Sequence, residues 1–205
     1  FQYQKNPNFP NRYISPKSLQ NFLQENLSDY ITLIGTSTLG EPIYQFSYGS
    51  GDIKVLAWSQ MHGNESNSTH CMLDLWYSLE SQPQLKEKLF QNISLDFIFM
   101  LNPDGSKVWS RRNSLDIDMN RDYLQNASCE MKLLKEIAFS KKYDYALNLH
   151  EQRTIFSTDG KNPATLSFLA PSEDYDRTIT ENRKKSMAVI ASIYNVLRMQ
   201  IPNQI

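Results

Sequence analysis

His62 and Glu65 stand three apart in Met61-His62-Gly63-Asn64-Glu65, and a second histidine, His150, closes the run Tyr145-Ala146-Leu147-Asn148-Leu149. Imidazole nitrogen and carboxylate oxygen are ordinary zinc ligands, and positions three apart at the mouth of a helix lie on one side of it. Two near residues and one distant histidine supply three protein donors. A fourth position left to water is the arrangement of a catalytic zinc ion, whereas a structural site is closed by four protein groups. Alone, His-x-x-Glu is as consistent with a polar surface or a cap, and a histidine at a strand end is as consistent with a simple hydrogen bond. The pattern is neither His-Glu-x-x-His nor its inverted form.

Between these residues lie Leu101-Asn102-Pro103-Asp104-Gly105, Trp109-Ser110-Arg111-Arg112-Asn113 and Asp116-Ile117-Asp118-Met119-Asn120-Arg121-Asp122. Each has a bland account of its own, since Asn-Pro-Asp-Gly is good turn chemistry and the arginines and aspartates suit a solvated loop. Their order is specific. His-x-x-Glu, Asn-Pro-Asp-Gly, an arginine followed by Asp-x-Asn-Arg, and a histidine after an apolar strand together resemble the zinc metallocarboxypeptidases, the carboxypeptidase A-like family, over residues 56–156.

The resemblance implies that His62, Glu65 and His150 bind one zinc ion per chain and that Asn120 and Arg121 grip the terminal carboxylate of a peptide. An arginine fork pairs a carboxylate bidentately and an asparagine adds a neutral donor, so the pair suits that task. Arg111 falls where the family keeps the arginine that polarises the scissile carbonyl, with adjacent Arg112 as the competing assignment. Asp118 matches the carboxylate that orients the first histidine ligand. His70 matches nothing in the pattern and is expected on the surface or in packing. The family's general-base glutamate lies farther downstream than the 55 residues that follow His150 here, so it is expected past Ile205. Glu151 is expected to be a poor substitute unless the strand has already ended, because neighbours on a strand point to opposite faces.

The elements that must position these residues are legible as periodicities. Ser15-Pro16 is a helix-start signal, followed by Leu19, Phe22, Leu23 and Leu27 on one face. Runs at 31–34, 43–48, 53–58, 95–101 and 145–149 read as strands, separated by turn-favouring residues. Helices are expected from Glu65 onward through Met72, Leu75, Trp76 and Leu79, around Met131, Leu134 and Ala138, and through Met187, Ile190, Ile193, Tyr194 and Leu197. Thr178 and Glu181 have capping-box spacing for the last. Alternation of strand and helix predicts an α/β fold, and the resemblance specifies a mixed central β-sheet with helices on both faces. A further strand should follow the last helix, so the catalytic domain spanning 1–205 is expected to be incomplete at its C-terminus.

Lysine and arginine number 21 against 22 acidic residues, a net charge of −1, which gives no basic excess for nucleic acid or an anionic membrane surface. No apolar run approaches the roughly 20 residues of a membrane span. Two cysteines, Cys71 and Cys129, are too few for a disulfide scaffold and are expected to pack as small hydrophobes. The compartment expected is the cytoplasm, with a periplasmic or secreted location after leader removal as the alternative. The leading functional expectation is a zinc-dependent carboxypeptidase acting on a peptide with a free C-terminal carboxylate. The alternatives are a zinc amidohydrolase of acyl-amino acids, resembling desuccinylases and aspartoacylases, and a non-catalytic zinc-containing peptide-binding module.

Overall fold

The structure, a computed structural model, describes residues 1–151 and 164–201. The chain divides into two compact units, Phe1–Glu151 and Gln152–Ile205. The first contains α1 (Pro16–Asn26), β1 (Ile31–Thr36), β2 (Pro42–Tyr48), β3 (Ile53–Trp58), α2 (Asn67–Glu80), α3 (Pro83–Phe90), β4 (Ile93–Phe99), α4 (Pro103–Lys107), α5 (Cys129–Ser140) and β5 (Tyr145–Asn148). The described residues of the second contain α6 (Glu181–Leu197).

The strands form one sheet in the order β1-β2-β4-β3-β5. β2 pairs antiparallel with β1 and β4, while β3 runs parallel to β4 and β5, so the sheet is mixed. Successive side chains of a strand face opposite ways, and the apolar residues follow that rule. Tyr44 and Phe46, Ala57, and Phe97 and Phe99 face one core with Leu19 and Leu23 of α1, Leu73 and Trp76 of α2 and Phe90 of α3. Ile43, Leu56 and Ile98 face the other, under Met131 and Leu134 of α5. Helices therefore cover both faces, as the strand–helix alternation and the resemblance predict.

Several local readings are corrected. Helix α2 begins at Asn67 rather than Glu65, because residues 62–65 form a turn closed by the Glu65 N–H on the His62 carbonyl at 3.1 Å. Asn-Pro-Asp-Gly is a short helical turn capped by Asn102, whose Oδ1 accepts from the Gly105 N–H at 2.9 Å. Helix α3 is an addition; it opens on Pro83 and seats Leu85, Leu89 and Phe90 against the first core. Helix α6 is capped by Thr180, not Thr178, whose N–H instead binds Asp174 at 2.8 Å. Cys71 faces solvent instead of packing, Cys129 is half-buried, and both are free thiols.

Among the described residues no helix is long and apolar enough to cross a membrane. The end of the 56–156 stretch and the chain's last four residues, after which a further strand is expected, lie outside the described residues.

Candidate metal centre

Three neighbouring parallel or crossover-connected strands deliver the centre. β3 leads into the turn carrying His62 and Glu65, β4 into Asn102 and α4, and β5 ends just before His150. Ligands of open α/β sheets gather outside such carboxyl ends. The two loops after β3 and β4 are locked together by close backbone approach. A Cβ on Gly63 would stand 2.2 Å from the Gly105 carbonyl carbon and the Ser106 nitrogen, and one on Gly105 would stand 2.6 Å from the Arg112 carbonyl oxygen. The amide of buried Asn102 also donates to the carbonyls of Met61 and Arg111, both at 3.4 Å. Gln60, fully buried at a φ of 48°, accepts from the Thr69 hydroxyl at 2.6 Å and donates to the Gly63 carbonyl at 3.0 Å. The segment before the first histidine is thus pinned from three directions.

His62, Glu65 and His150 converge, with donor atoms all within 4.8 Å of one another. His62 Nδ1 lies 2.8 Å from Glu65 Oε1, and His150 Nδ1 lies 2.9 Å from Glu65 Oε2. The other nitrogen of His62 faces Asp118 Oδ1 at 3.1 Å. A proton held on Nε2 by Asp118 leaves a lone pair on Nδ1, pointing at a carboxylate oxygen that also has only lone pairs. Two acceptors at that separation call for a cation: a proton on the imidazole, or a metal ion shared by the three donors. Two imidazole nitrogens and one carboxylate are a donor set that fits zinc, with a position remaining for water.

The electrostatics agree with that demand. Burial alone would raise the Glu65 carboxyl, but hydrogen bonds from His150, His62 and the Glu151 backbone N–H outweigh it and bring its pKa down to about 2. Asp118 is likewise lowered against its burial by His62 and Arg111. Both carboxylates are therefore held ionised at neutral pH.

Arg111 reaches this centre and Arg112 does not. Arg111 donates from Nη1 to Glu65 Oε1 at 3.3 Å and from Nε to Asp118 Oδ2 at 3.2 Å, while Arg112 turns back to the Asp116 carbonyl at 2.7 Å. Asp118 serves a third partner, accepting the Asn120 N–H at 3.0 Å, and so connects the histidine to the turn that carries Asn120 and Arg121. Asn120 Oδ1 accepts from Asn148 Nδ2 at 3.3 Å, two residues before His150. The Arg121 guanidinium is exposed, and its one hydrogen bond among the described residues goes to the Asn120 carbonyl. Beside Asn120 and Asn148 opens a cavity of about 180 Å³ walled by apolar residues including Trp58, Met61, Met119 and Leu134.

Glu151 remains a poor substitute for the family's general base, for a reason other than strand alternation. β5 has ended at Asn148, so strand alternation does not govern its direction. Its backbone N–H donates to Glu65 Oε2 at 3.1 Å, and its nearly buried carboxylate pairs with Arg12 and accepts the Asn67 N–H at 3.3 Å. That carboxylate is engaged elsewhere. His70 lies outside the donor set and binds the Arg12 carbonyl at 3.0 Å. Asn113 and Glu130, to which the sequence assigns no role, hold the arginine loop: Asn113 Oδ1 accepts from Leu115 and Ile117, and its amide donates to Glu130, which is buried, at 3.2 Å.

These features define a class, and comparison with known proteins gives the family. The zinc carboxypeptidase family model matches residues 17–156, and the chain belongs to that family. Carboxypeptidase 2 of Trichophyton rubrum is 29% identical over 100 residues, which are 48% of this chain and 19% of that protein. The solved metallo-carboxypeptidase from Burkholderia cenocepacia superposes with a TM-score of 0.58 at 20% identity, over 68% of this chain and 42% of that one. Bovine thrombin-activatable fibrinolysis inhibitor, solved with tick carboxypeptidase inhibitor, gives 0.63 at 15% identity, over 91% of this chain and 73% of that one. At these identities the two structures speak for the fold. The match spans less than half the length of the first two relatives.

Proposed function

We propose that the protein is a zinc-dependent carboxypeptidase that hydrolyses the last bond of peptides with a free C-terminal carboxylate. The observation that carries this reading is the convergence of His62 Nδ1, the Glu65 carboxylate and His150 Nδ1, with Asp118 on the far side of His62 and Arg111 at the same carboxylate. His62, Glu65 and His150 would hold the ion, which when bound supplies an activated water and a Lewis acid for the scissile carbonyl.

The chain's own residues do the remaining work. Asp118 keeps the proton of His62 on Nε2 and so keeps Nδ1 available as a donor. Arg111, exposed on one flank, can turn a guanidinium N–H toward the oxygen that gains charge as the carbonyl is attacked. Asn120 and Arg121 fix the terminal carboxylate, and this fixes which bond lies at the centre. The apolar cavity beside Asn120 favours a terminal residue with an apolar side chain. Neither Glu65 nor Glu151 has a free carboxylate for proton transfer.

Zinc content and hydrolysis test this together. The purified protein should bind one zinc ion and release phenylalanine from a short peptide ending in phenylalanine, with the same peptide amidated at its C-terminus inert. Equal cleavage of the amidated peptide would remove the role given to Asn120 and Arg121. Exclusive cleavage of an acylated single amino acid would move the protein to the amidohydrolase class.

A further inference from the structure

We propose that Arg12, Tyr13 and Trp109 form a second binding subsite beside the metal centre, one that takes a carboxylate side chain from the two peptide residues preceding the scissile bond. The inference rests on the carboxypeptidase reading and adds a substrate class to it. Trp109 is 39% exposed and Tyr13 44%, although both rings are large enough to be worth burying. They meet edge to face with centroids 5.7 Å apart, and the Arg12 guanidinium stands 5.5 Å over the indole. Trp109 also holds a φ of 54°, a conformation that bulky residues avoid and that recurs at functional positions.

The N-terminal segment is fastened at this point through the Arg12 backbone and one edge of its guanidinium. The Arg12 carbonyl accepts from the Ser66 hydroxyl at 2.6 Å and from His70 at 3.0 Å, both at the start of α2. Nη2 of Arg12 pairs with Glu151, while Nε and Nη1 have no hydrogen-bond partner among the described residues, and the side chain is 60% exposed. An arginine held on one edge by a carboxylate and supported from below by an indole keeps its other edge open at low entropic cost. Glu151 does not cancel it fully, because that carboxylate is shared with the Asn67 N–H at the positive end of α2. The free edge therefore presents a fixed cation to solvent.

Its place relative to the centre sets which part of a peptide it meets. Trp109 precedes Arg111 by two residues, and Arg12 reaches Glu151, the residue after His150. Asn120 meets the centre through Asp118, which Arg111 also binds, and through Asn148, and among the described residues neither Arg12 nor Trp109 forms a hydrogen bond with Asp118 or Asn148. A peptide held by its terminal carboxylate at Asn120 and Arg121, with its last bond at the metal donors, must leave the centre by another flank. The flank with Arg12, Tyr13 and Trp109 is cationic and aromatic, which suits a glutamate or aspartate side chain and repels lysine.

The test uses the full-length, zinc-loaded protein and three peptides, acetyl-Ala-Glu-Glu-Phe, acetyl-Ala-Gln-Gln-Phe and acetyl-Ala-Lys-Lys-Phe. Each is made with a ketomethylene link in place of the last amide, so that binding is read without turnover. Calorimetry should give the Glu-Glu peptide about fivefold tighter binding than Gln-Gln, with Lys-Lys weakest, as expected for a half-exposed charge-assisted contact. Arg12→Gln should erase the Glu-over-Gln difference and Arg12→Lys should keep part of it. Equal affinities in the wild type, or a preference that survives in Arg12→Gln, overturns the subsite. Trp109 is the most exposed of the three tryptophans, so the Glu-Glu peptide should also change its emission, and this readout needs no Arg12 variant. Unchanged emission at saturation counts against the proposal. The same sequences with ordinary amides separate the two readings: preference without any cleavage leaves the subsite standing and removes the carboxypeptidase, whereas cleavage without preference does the reverse.

Discussion

Each residue of the candidate centre touches its neighbours in a way that assigns it a separable effect. His62 is 1% exposed and faces two carboxylates, so replacing it by alanine removes a donor that nothing nearby can supply. His62→Ala and Glu65→Gln should each bring zinc content, measured by atomic emission on the dialysed protein, from one per chain to near zero. Asp118→Asn keeps the shape and loses the charge that fixes the His62 tautomer, so zinc should stay but bind about 10- to 100-fold more weakly in a chelator competition. Arg111→Ala leaves all three donors in place, and its cost should fall on turnover, with kcat reduced about 100- to 1,000-fold and zinc content unchanged. An Arg111 variant that lost its zinc would show that the guanidinium holds Glu65 in place and has no part in charge stabilisation. The types and order of these residues are plain in the chain. What the chain does not display is direction, such as the turning of Arg111 inward and Arg112 back on its own loop.

At the scale of elements, the centre depends on two loops that touch through glycine. Gly63→Ala would push a methyl to 2.2 Å from backbone atoms of residues 105 and 106, which have no side-chain freedom with which to yield. The variant should lose at least the roughly 1–3 kcal/mol of an overpacked site and lose zinc affinity with it, read by urea denaturation beside metal titration. Helix α5 offers a contrasting case. The Ser128 hydroxyl caps it by accepting the Met131 N–H at 3.3 Å and itself donates to Asp122 at 2.7 Å. Ser128→Ala should cost about 1 kcal/mol of stability while leaving zinc content alone, because α5 lines the apolar cavity and supplies no donor to the metal. Strand periodicity placed all five strands to within two residues. Helix α3 escaped because its eight residues are too few for a repeat to declare itself, and the α6 cap was misplaced by two residues because two threonines compete for the same role.

At the scale of the whole molecule, one buried carboxylate joins the sheet to the segment between α5 and β5. Asp96 of β4 accepts from the Ser47 hydroxyl at 2.7 Å, the Tyr143 hydroxyl at 2.6 Å and Lys141 Nζ at 2.6 Å. Its burial would raise its pKa, but Lys141, Tyr143 and Ser47 together lower it below the ordinary carboxylate value. A carboxyl with a folded pKa below its unfolded value of about 3.9 contributes stability above that value and loses it as pH falls through the folded one. Asp96→Asn should therefore be less stable than wild type at pH 7, and the gap should close as urea titrations are taken below pH 4. A gap of constant size would show that packing, and not charge, sets the contribution. The chain alone determined the donor types, their order, the alternating strands and the family they resemble, because these depend on residue identity and on periods of two and 3.6 that local backbone geometry imposes. Only the tertiary structure decided that His150 offers Nδ1 to Glu65, that Glu151 is held by Arg12, and that Trp109 stays exposed against Tyr13. Those outcomes depend on partners 85, 139 and 96 positions away in the chain, which only packing brings within hydrogen-bond or ring-contact distance.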